Sequence, residues 1–369
     1  MNRSLVFKIW LFSILIMIFG LIGLYSATFN NVRVPQKIFY DQMIFSLIAI
    51  LIMWGLSNTD YRKFYDFAYI VYGGNVLFLV LVLLSGRNAL GATRWFEVAG
   101  FSFQPSEFMK LSLILALGRY YSSRSSNYMF GFYGRIMYVV QFIIVPFLLT
   151  AVPMYLIFKQ PDLGTAILLF GIFFAMLFIN GISYRFIFGF MGLCVLVTPV
   201  LWMMMKDYQK ARLLVFLNPN IDPLGSGYTI IQSKIAVGSG QIFGKGWFAG
   251  TQNQLNFLPE RHTDFIFSVI GEEWGFIGCV FMIGCFYMLV RAGLSIAEKV
   301  TDKFGVNVTV GIASILALQV VINVGMVMGM FPIVGITLPL VSYGRTSFLT
   351  TAIMLGFLLN LSRKRTFAG

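Results

Sequence analysis

The chain has 369 residues, of which 58% are hydrophobic and only 11% charged. A soluble domain carries about 25% charged residues, so the chain reads as an all-α polytopic membrane protein, with one integral membrane domain over 1–369. The formal net charge of +13 would suit a nucleic-acid binder, but its placement along the chain points to membrane sidedness instead.

A membrane-crossing helix needs about 20 apolar residues. Such runs fall at roughly 8–27, 38–57, 64–84, 105–121, 136–157, 162–181, 185–205, 264–290, 306–331 and 340–361, which predicts ten transmembrane helices. The first run begins near Lys8 with no small-residue cleavage site behind it, so it is expected to be a retained helix rather than a removed signal. Only Asn180-Gly181-Ile182-Ser183-Tyr184-Arg185 separates the sixth and seventh runs, a tight helical hairpin. Lys and Arg in the short connections favour one side, with Arg3, Lys8, Arg62, Lys63, Arg119, Arg124, Arg135, Arg185, Arg291 and Arg365 among them. A smaller set, Arg33, Lys37, Arg87, Arg94, Lys159 and Arg345, falls on the other side. The positive-inside rule then puts both termini in the cytoplasm and the long 206–264 loop outside.

In this topology the even-numbered spans start at the outer face. The fourth starts Gln104-Pro105-Ser106-Glu107, the sixth Gln160-Pro161-Asp162, and the eighth at Asp264. Pro at the first helical position and an acid in the first turn are ordinary helix starts, yet together they gather three carboxylates at one face. The long loop opens on Lys206 and closes on Pro259-Glu260-Arg261-His262-Thr263-Asp264. Loops of this length are functional or disordered, and this one is aromatic and nearly charge-balanced, so it is expected to be ordered. Residues 228–237 read as a short interfacial helix. The glycines around Gly238, Gly240, Gly244 and Gly246 read as flexible turns.

Asp264 lies where the loop re-enters the membrane, beside Arg261 and His262, and suits either a general base or a helix cap. Glu107 and Lys110 are three apart on one helical face and are expected to pair. Ionisable groups in spans usually face a cavity. Asp162 suits a substrate contact or a helix start. Arg94 beside Trp95 suits a phosphate next to an apolar surface, or a loop anchor. Glu272 and Glu273 suit a proton path or pairing with a base. His262 is the only histidine, which excludes a multi-histidine metal site. Cys194, Cys279 and Cys285 sit in apolar runs without a CxxC pair, so neither a disulfide framework nor a zinc site is expected. No G-x-S-x-G elbow or P-loop spacing is present.

The stretches FQPSEFMKL (103–111), QPDLGTA (160–166), DYQKARL (207–213), DPLGSGYTIIQSKIAVGSG (222–240), GKGW (244–247), FLPERHTDFIFSVIGEEWG (257–275) and PLVSYG (339–344) resemble the SEDS family. Within it they are more similar to the RodA-like branch than to the FtsW-like one. The resemblance implies a ten-span peptidoglycan glycosyltransferase that polymerises lipid II at the outer face of the cytoplasmic membrane during cell elongation. It matches the family's essential aspartate to Asp264, its QPSE-motif Glu and Lys to Glu107 and Lys110, its QPDLG aspartate to Asp162, and its Arg-Trp pair to Arg94 and Trp95. It also implies a class B penicillin-binding protein as transpeptidase partner, and the elongation proteins MreC, MreD and MreB. The family usually reads SYGG where this chain has Ser342-Tyr343-Gly344-Arg345. Ser342 and Arg345 are therefore added to the expected substrate contacts.

On this reading Asp264 deprotonates an acceptor sugar hydroxyl and the anomeric centre inverts. Arg94, Lys110 and Arg261 are candidate partners for the leaving pyrophosphate, with a divalent cation, Mg or Mn, as a further possibility. Two alternatives remain open at this stage: a lipid II flippase using Glu107, Lys110, Glu272 and Glu273 as a polar path, and a non-catalytic scaffold for the transpeptidase.

Overall fold

The computed structural model describes residues 3–29, 35–85, 87–89, 92–98, 101–124, 131–182, 184–205, 207–223 and 225–363. Arg33, Lys206 and Arg365 lie outside them, as do the side chains of Arg87, Arg135, Arg185 and Cys194.

The apolar runs are helical. In chain order come α1 (Arg3–Thr28), α2 (Lys37–Ser57) and α3 (Arg62–Ser85), then a small antiparallel sheet of β1 (Arg87–Ala89), β2 (Ala92–Val98) and β3 (Phe101–Phe103). Next are α4 (Pro105–Ser122), α5 (Gly131–Val139), a π-helical turn (Val140–Ile144) and α6 (Val145–Lys159). They are followed by α7 (Leu163–Ile179), α8 (Tyr184–Met204), α9 (Asp207–Leu217), α10 (Ser226–Ser239), α11 (Thr251–Gln254), α12 (Ile266–Ala297), α13 (Lys303–Val327) and α14 (Arg345–Arg363). Among the described residues, six helical stretches are long and apolar enough to cross a membrane: α1, α2, α3, α12, α13 and Ile136–Lys159. The polar α4 and α14 are buried along nearly their whole length. They pack among other helices, which lets Glu107, Lys110 and a row of Ser and Thr sit at depth.

The sheet between α3 and α4 is absent from the sequence reading, although residues 92–98 carry the β-branched and aromatic residues that suit strands. The described residues of the long loop form short helices and hydrogen-bonded turns, and Gly240 and Gly244 sit in close backbone contacts rather than in flexible turns. α12 breaks at Gly275, whose φ of 62° and ψ of −158° belong to a region that only glycine occupies readily. The loop backbone is bonded onto the break. Lys245 N donates to Glu272 O at 3.0 Å and Gly246 N to Glu273 O at 3.1 Å, while Phe276 N donates to Gln241 O at 2.8 Å. A Cβ at Gly244 would stand 2.2 Å from Glu273 O. These glycines permit backbone-to-backbone contact, and the loop takes over hydrogen bonds that the broken helix gives up. α10 packs one face against α12, with Ile230, Ser233 and Ala236 buried and Lys234 and Ile235 exposed. Ser233 Oγ lies 2.9 Å from Ser268 Oγ and donates to Val327 O at 2.7 Å, tying α10 to both long helices.

The last expected span, 340–361, starts later than its apolar run. α14 begins at Arg345, and residues 332–344 are irregular. Val334, Ile336, Leu338, Leu340 and Val341 are all buried in that segment. Hydropathy alone reads such a run as helix. Its backbone finds side-chain partners instead: Asn323 Nδ2 donates to Ile336 O at 2.7 Å, and Leu338 N donates to Ser342 Oγ at 2.8 Å. The start of α7 presses directly on it. A Cβ at Gly164 would stand 2.6 Å from Val334 O and 2.8 Å from Ile336 Cγ1. Gly164→Ala is therefore expected to lower stability by about 1–3 kcal/mol, as overpacking does. A fall in the thermal unfolding midpoint in detergent checks this, and an unchanged midpoint would show that the two backbones are not in contact.

Candidate active site

The irregular segment 332–344 forms one wall of a polar site. Asp264 stands against it, at the end of the long loop. A Cβ at Gly335, which has φ of 71°, would lie 3.5 Å from Asp264 Oδ2. Asn323 donates to Asp264 O at 2.9 Å and to Ile336 O, so one amide joins the two strands of chain. α12 starts at Ile266 with Phe265 in the N-cap position and no side-chain cap. The capping role open to Asp264 from sequence is thus not the one it takes. Burial pushes its carboxyl up to about 6; Glu260 and Asp162 add to the rise, and Arg212 and Arg94 oppose it. Desolvation outweighs two cations here, which leaves a carboxyl that titrates close to neutrality.

The other groups come from separate elements. Arg94, on β2, donates through Nε to Gln160 O at 3.1 Å and through its terminal nitrogen to Pro161 O. It thereby bridges the sheet to the start of α7. Arg94 stands where the register of β2 against β1 shifts, between Thr93 opposite Asn88 and Trp95 opposite Arg87, and such a bulge re-aims the side chain it carries. Asp162 caps α7: it accepts from Thr165 N at 3.2 Å and Thr165 Oγ1 at 3.0 Å. Its second oxygen also accepts from Ser106 Oγ and Gln104 Nε2, both at 3.2 Å, which locks α7 to α4. One turn further along α4, Lys110 Nζ meets Glu107 Oε2 at 2.7 Å, with both side chains buried. The pairing expected from their spacing is present. Arg212 on α9, not singled out from sequence, donates to Ile333 O at 3.4 Å and acts on Asp264. It lies inside the DYQKARL stretch quoted for the resemblance, which was the available signal.

Several expected site residues are engaged elsewhere. Arg261 is buried, and its guanidinium donates to Ala27 O at 3.2 Å, Asn253 O at 2.7 Å and Asn256 Oδ1 at 2.6 Å. It fastens the loop to the end of α1, so the substrate-contact role expected for it gives way to a structural one. Ser342 closes a turn on Leu338 N. His262 accepts through its backbone oxygen from Tyr343 N at 2.9 Å. Burial lowers its imidazole pKa, with Glu260 opposing and Arg261 reinforcing, so the ring is neutral near pH 7. Arg345 pairs with Asp41 on α2 at 2.6 Å, so a phosphate there would have to compete with a carboxylate. Glu272 accepts from Lys245 Nζ at 2.7 Å and Gln252 N at 3.0 Å, and Glu273 accepts from Ser26 Oγ and from Asn253 Nδ2 at 3.1 Å. Both carboxylates hold the loop in place, and the base that pairs with Glu272 comes from the loop rather than from another span. Among the described residues no group of three or more His, Cys, Asp or Glu side chains is placed to hold a metal ion. The divalent cation left open by the sequence therefore finds no ready cage among the described residues; Arg94 and Arg212 are the cations that act on Asp264, and Lys110 is held by Glu107.

A family profile described as cell cycle protein, FtsW/RodA/SpoVE, matches residues 6–367. The chain is 35% identical over 353 residues to the peptidoglycan glycosyltransferase MrdB of Escherichia coli K12, covering 95% of this chain and 91% of that one. It is 31% identical over 421 residues to the peptidoglycan glycosyltransferase RodA of Treponema pallidum, covering 94% of each. Among solved structures, it superposes with a TM-score of 0.80 at 31% identity on a chain from work titled "Structural coordination of polymerization and crosslinking by a peptidoglycan synthase complex", covering 98% of this chain and 97% of that one. It also superposes on the rod shape determining protein RodA of Thermus thermophilus with a TM-score of 0.70 at 28% identity, covering 97% and 96%.

The buried Glu107–Lys110 pair generates a stability test. Glu107→Gln leaves an uncompensated buried ammonium and is expected to cost about 3–5 kcal/mol. Glu107→Gln combined with Lys110→Met removes both charges and is expected to recover most of that loss. Paired thermal melts check this, and equal losses in the two variants would show that the ion pair is not what the fold depends on.

Proposed function

The chain belongs to the FtsW/RodA/SpoVE family of cell cycle proteins, and from that premise we propose that it is a peptidoglycan glycosyltransferase that polymerises lipid II at the outer face of the cytoplasmic membrane. The observation that carries this reading is Asp264: a carboxyl without a capping duty, raised to about 6 by burial, with two arginines acting on it. A sugar hydroxyl is a weak nucleophile at neutral pH and needs a positioned base. Asp264 takes the proton from the acceptor 4-hydroxyl. The oxygen then bonds to the anomeric carbon of the donor, the bond from that carbon to undecaprenyl pyrophosphate breaks, and the configuration inverts. Arg94, Arg212 and Lys110 are the cations that take up the charge on the departing pyrophosphate. Asp162 serves by fixing α7 against α4, which sets Arg94 in place.

The sidedness of the Lys and Arg residues supports ten spans, both termini in the cytoplasm and the long loop outside, in a single membrane domain over 1–369. The family resemblance implies a role in cell elongation beside a class B penicillin-binding transpeptidase, with MreC, MreD and MreB as further partners, and the likeness to a chain from a complex that coordinates polymerization and crosslinking supports a transpeptidase partner. A flippase reading needs intramembrane charges that line a path. Here Glu272 and Glu273 hold the loop and Glu107 and Lys110 hold each other, so the geometry favours chemistry at one face.

Two measurements test the assignment. Asp264→Asn, folded and bound to its transpeptidase, is expected to lose about 10²–10⁴-fold in polymerisation of labelled lipid II. Undiminished polymerisation would retire the base and leave the scaffold reading. The wild-type rate is also expected to fall as pH drops through about 6, because only the ionised carboxylate accepts a proton. Arg212 lowers that value, so Arg212→Gln is expected to move the acid limb to higher pH. A limb that stays put would place the titrating group elsewhere.

A further inference from the structure

At the end of the molecule opposite Asp264 lies a cavity with a volume of about 360 Å³. It opens between the C-terminal end of α4, the π-helical turn, the end of α7 and the start of α13. Arg124 and Lys303 line it, and among the described residues no carboxylate does. Asn180 and Asn307 form its floor. Their amides are satisfied by each other and by backbone: Asn180 Nδ2 donates to Asn307 Oδ1 at 2.5 Å, and Asn307 Nδ2 donates to Lys303 O at 2.8 Å. The floor therefore does not neutralise the two cations. Among the described residues Lys303 Nζ makes one long bond, 3.4 Å to Arg124 O, and an ammonium has three donors. The Arg124 guanidinium lies over the Tyr120 ring at 3.7 Å, which holds it at the cavity edge. The wall is stiffened at the π turn: Tyr120 OH donates to Gln141 O at 2.8 Å and Tyr121 OH to Phe142 O at 3.0 Å. Such turns recur at functional sites.

A cavity of this size, positive and closed on one side by tyrosine and phenylalanine, fits a small anionic ester. α4, α7 and α13 each run from the Asp264 site to this cavity, a separation of about 25 Å from the length of α4. It is therefore not a subsite of the reaction centre. It lies at the end where the short-loop Lys and Arg concentrate, the cytoplasmic end by the positive-inside rule, where anionic lipids meet basic pockets between helices. We infer that this cavity binds a phosphate ester through Arg124 and Lys303, in the position of the headgroup of an anionic phospholipid.

The inference does not depend on the glycosyltransferase reading. The test uses the full-length protein in two arms. In one, native mass spectrometry counts phosphatidylglycerol retained after extraction, with phosphatidylcholine as reference. In the other, calorimetry measures binding of soluble glycerol 3-phosphate. The variant Arg124→Gln/Lys303→Gln is compared with Lys299→Gln/Arg291→Gln, which removes the same charge from exposed positions on the same face. The first pair is expected to weaken phosphatidylglycerol retention by about fivefold per charge removed, while the second leaves it unchanged. Arg124→Lys/Lys303→Arg should retain binding, which guards against misfolding. Glycerol 3-phosphate binding that the first pair abolishes would support the site and show that a soluble ester also fills it. Retention unaffected by the first pair, or reduced equally by both pairs, with no variant-sensitive binding of the soluble ester, would overturn the inference.

Discussion

One side-chain amide holds the Asp264 site together. Asn323, near the end of α13, donates to both Asp264 O and Ile336 O. Each carbonyl belongs to a segment that is not helical, and each is set among apolar side chains. In such surroundings an unpaired carbonyl costs several kcal/mol. Irregular backbone is tolerated at membrane depth only where protein satisfies it. Asn323 meets that condition for two segments at once, and so fixes the distance between the Asp264 backbone and the wall it faces.

The same constraint explains the second irregularity. α12 is interrupted at Gly275, and the glycine-bearing loop 240–246 is drawn onto the gap by backbone hydrogen bonds. Glu272 and Glu273, just before the break, hold Lys245, Asn253 and Ser26. Arg261 reaches back to the end of α1. The long loop is in this way fastened along its length before it delivers Asp264. A carboxyl carried on a mobile loop would be hydrated and titrate in the ordinary range; one held against a packed wall is desolvated and titrates higher. Order in the loop and the raised carboxyl are thus one effect.

Charge is partitioned along the helix axes. At one end α7 and α13 bring Asp162 and Asn323 towards Asp264, and the first turns of α4 carry the Glu107–Lys110 pair. At the other, the last turn of α4 and the first of α13 bring Arg124 and Lys303 to a cavity that has no carboxylate among its described lining residues. The helices between are packed with apolar residues such as Leu113, Leu169 and Ile312. Each end therefore keeps its own electrostatic character, mixed around Asp264 and positive at the far cavity.

Much of this was legible in the residues. Apolar runs of membrane length marked the helices, because hydrocarbon admits little else, and the i,i+3 spacing of Glu107 and Lys110 announced their pair. The stretch around Asp264 and the QPDLG run carried the family. What local pattern missed was decided by contacts between distant segments. The residues 332–344 are as apolar as a span, yet Asn323, Arg212 and Ser342 supply their hydrogen bonds in place of a helix. Gly244 reads as a flexible turn until it is seen against the backbone of Gly275. Arg261 lies close to Asp264 in sequence while its guanidinium is bound to Ala27 O and Asn253 O. Sequence alone determined which groups are present and which runs are apolar enough for membrane helices, since these follow from composition and short-range period. The tertiary structure decided which of those groups meet, because that depends on which backbone atoms packing leaves to be satisfied.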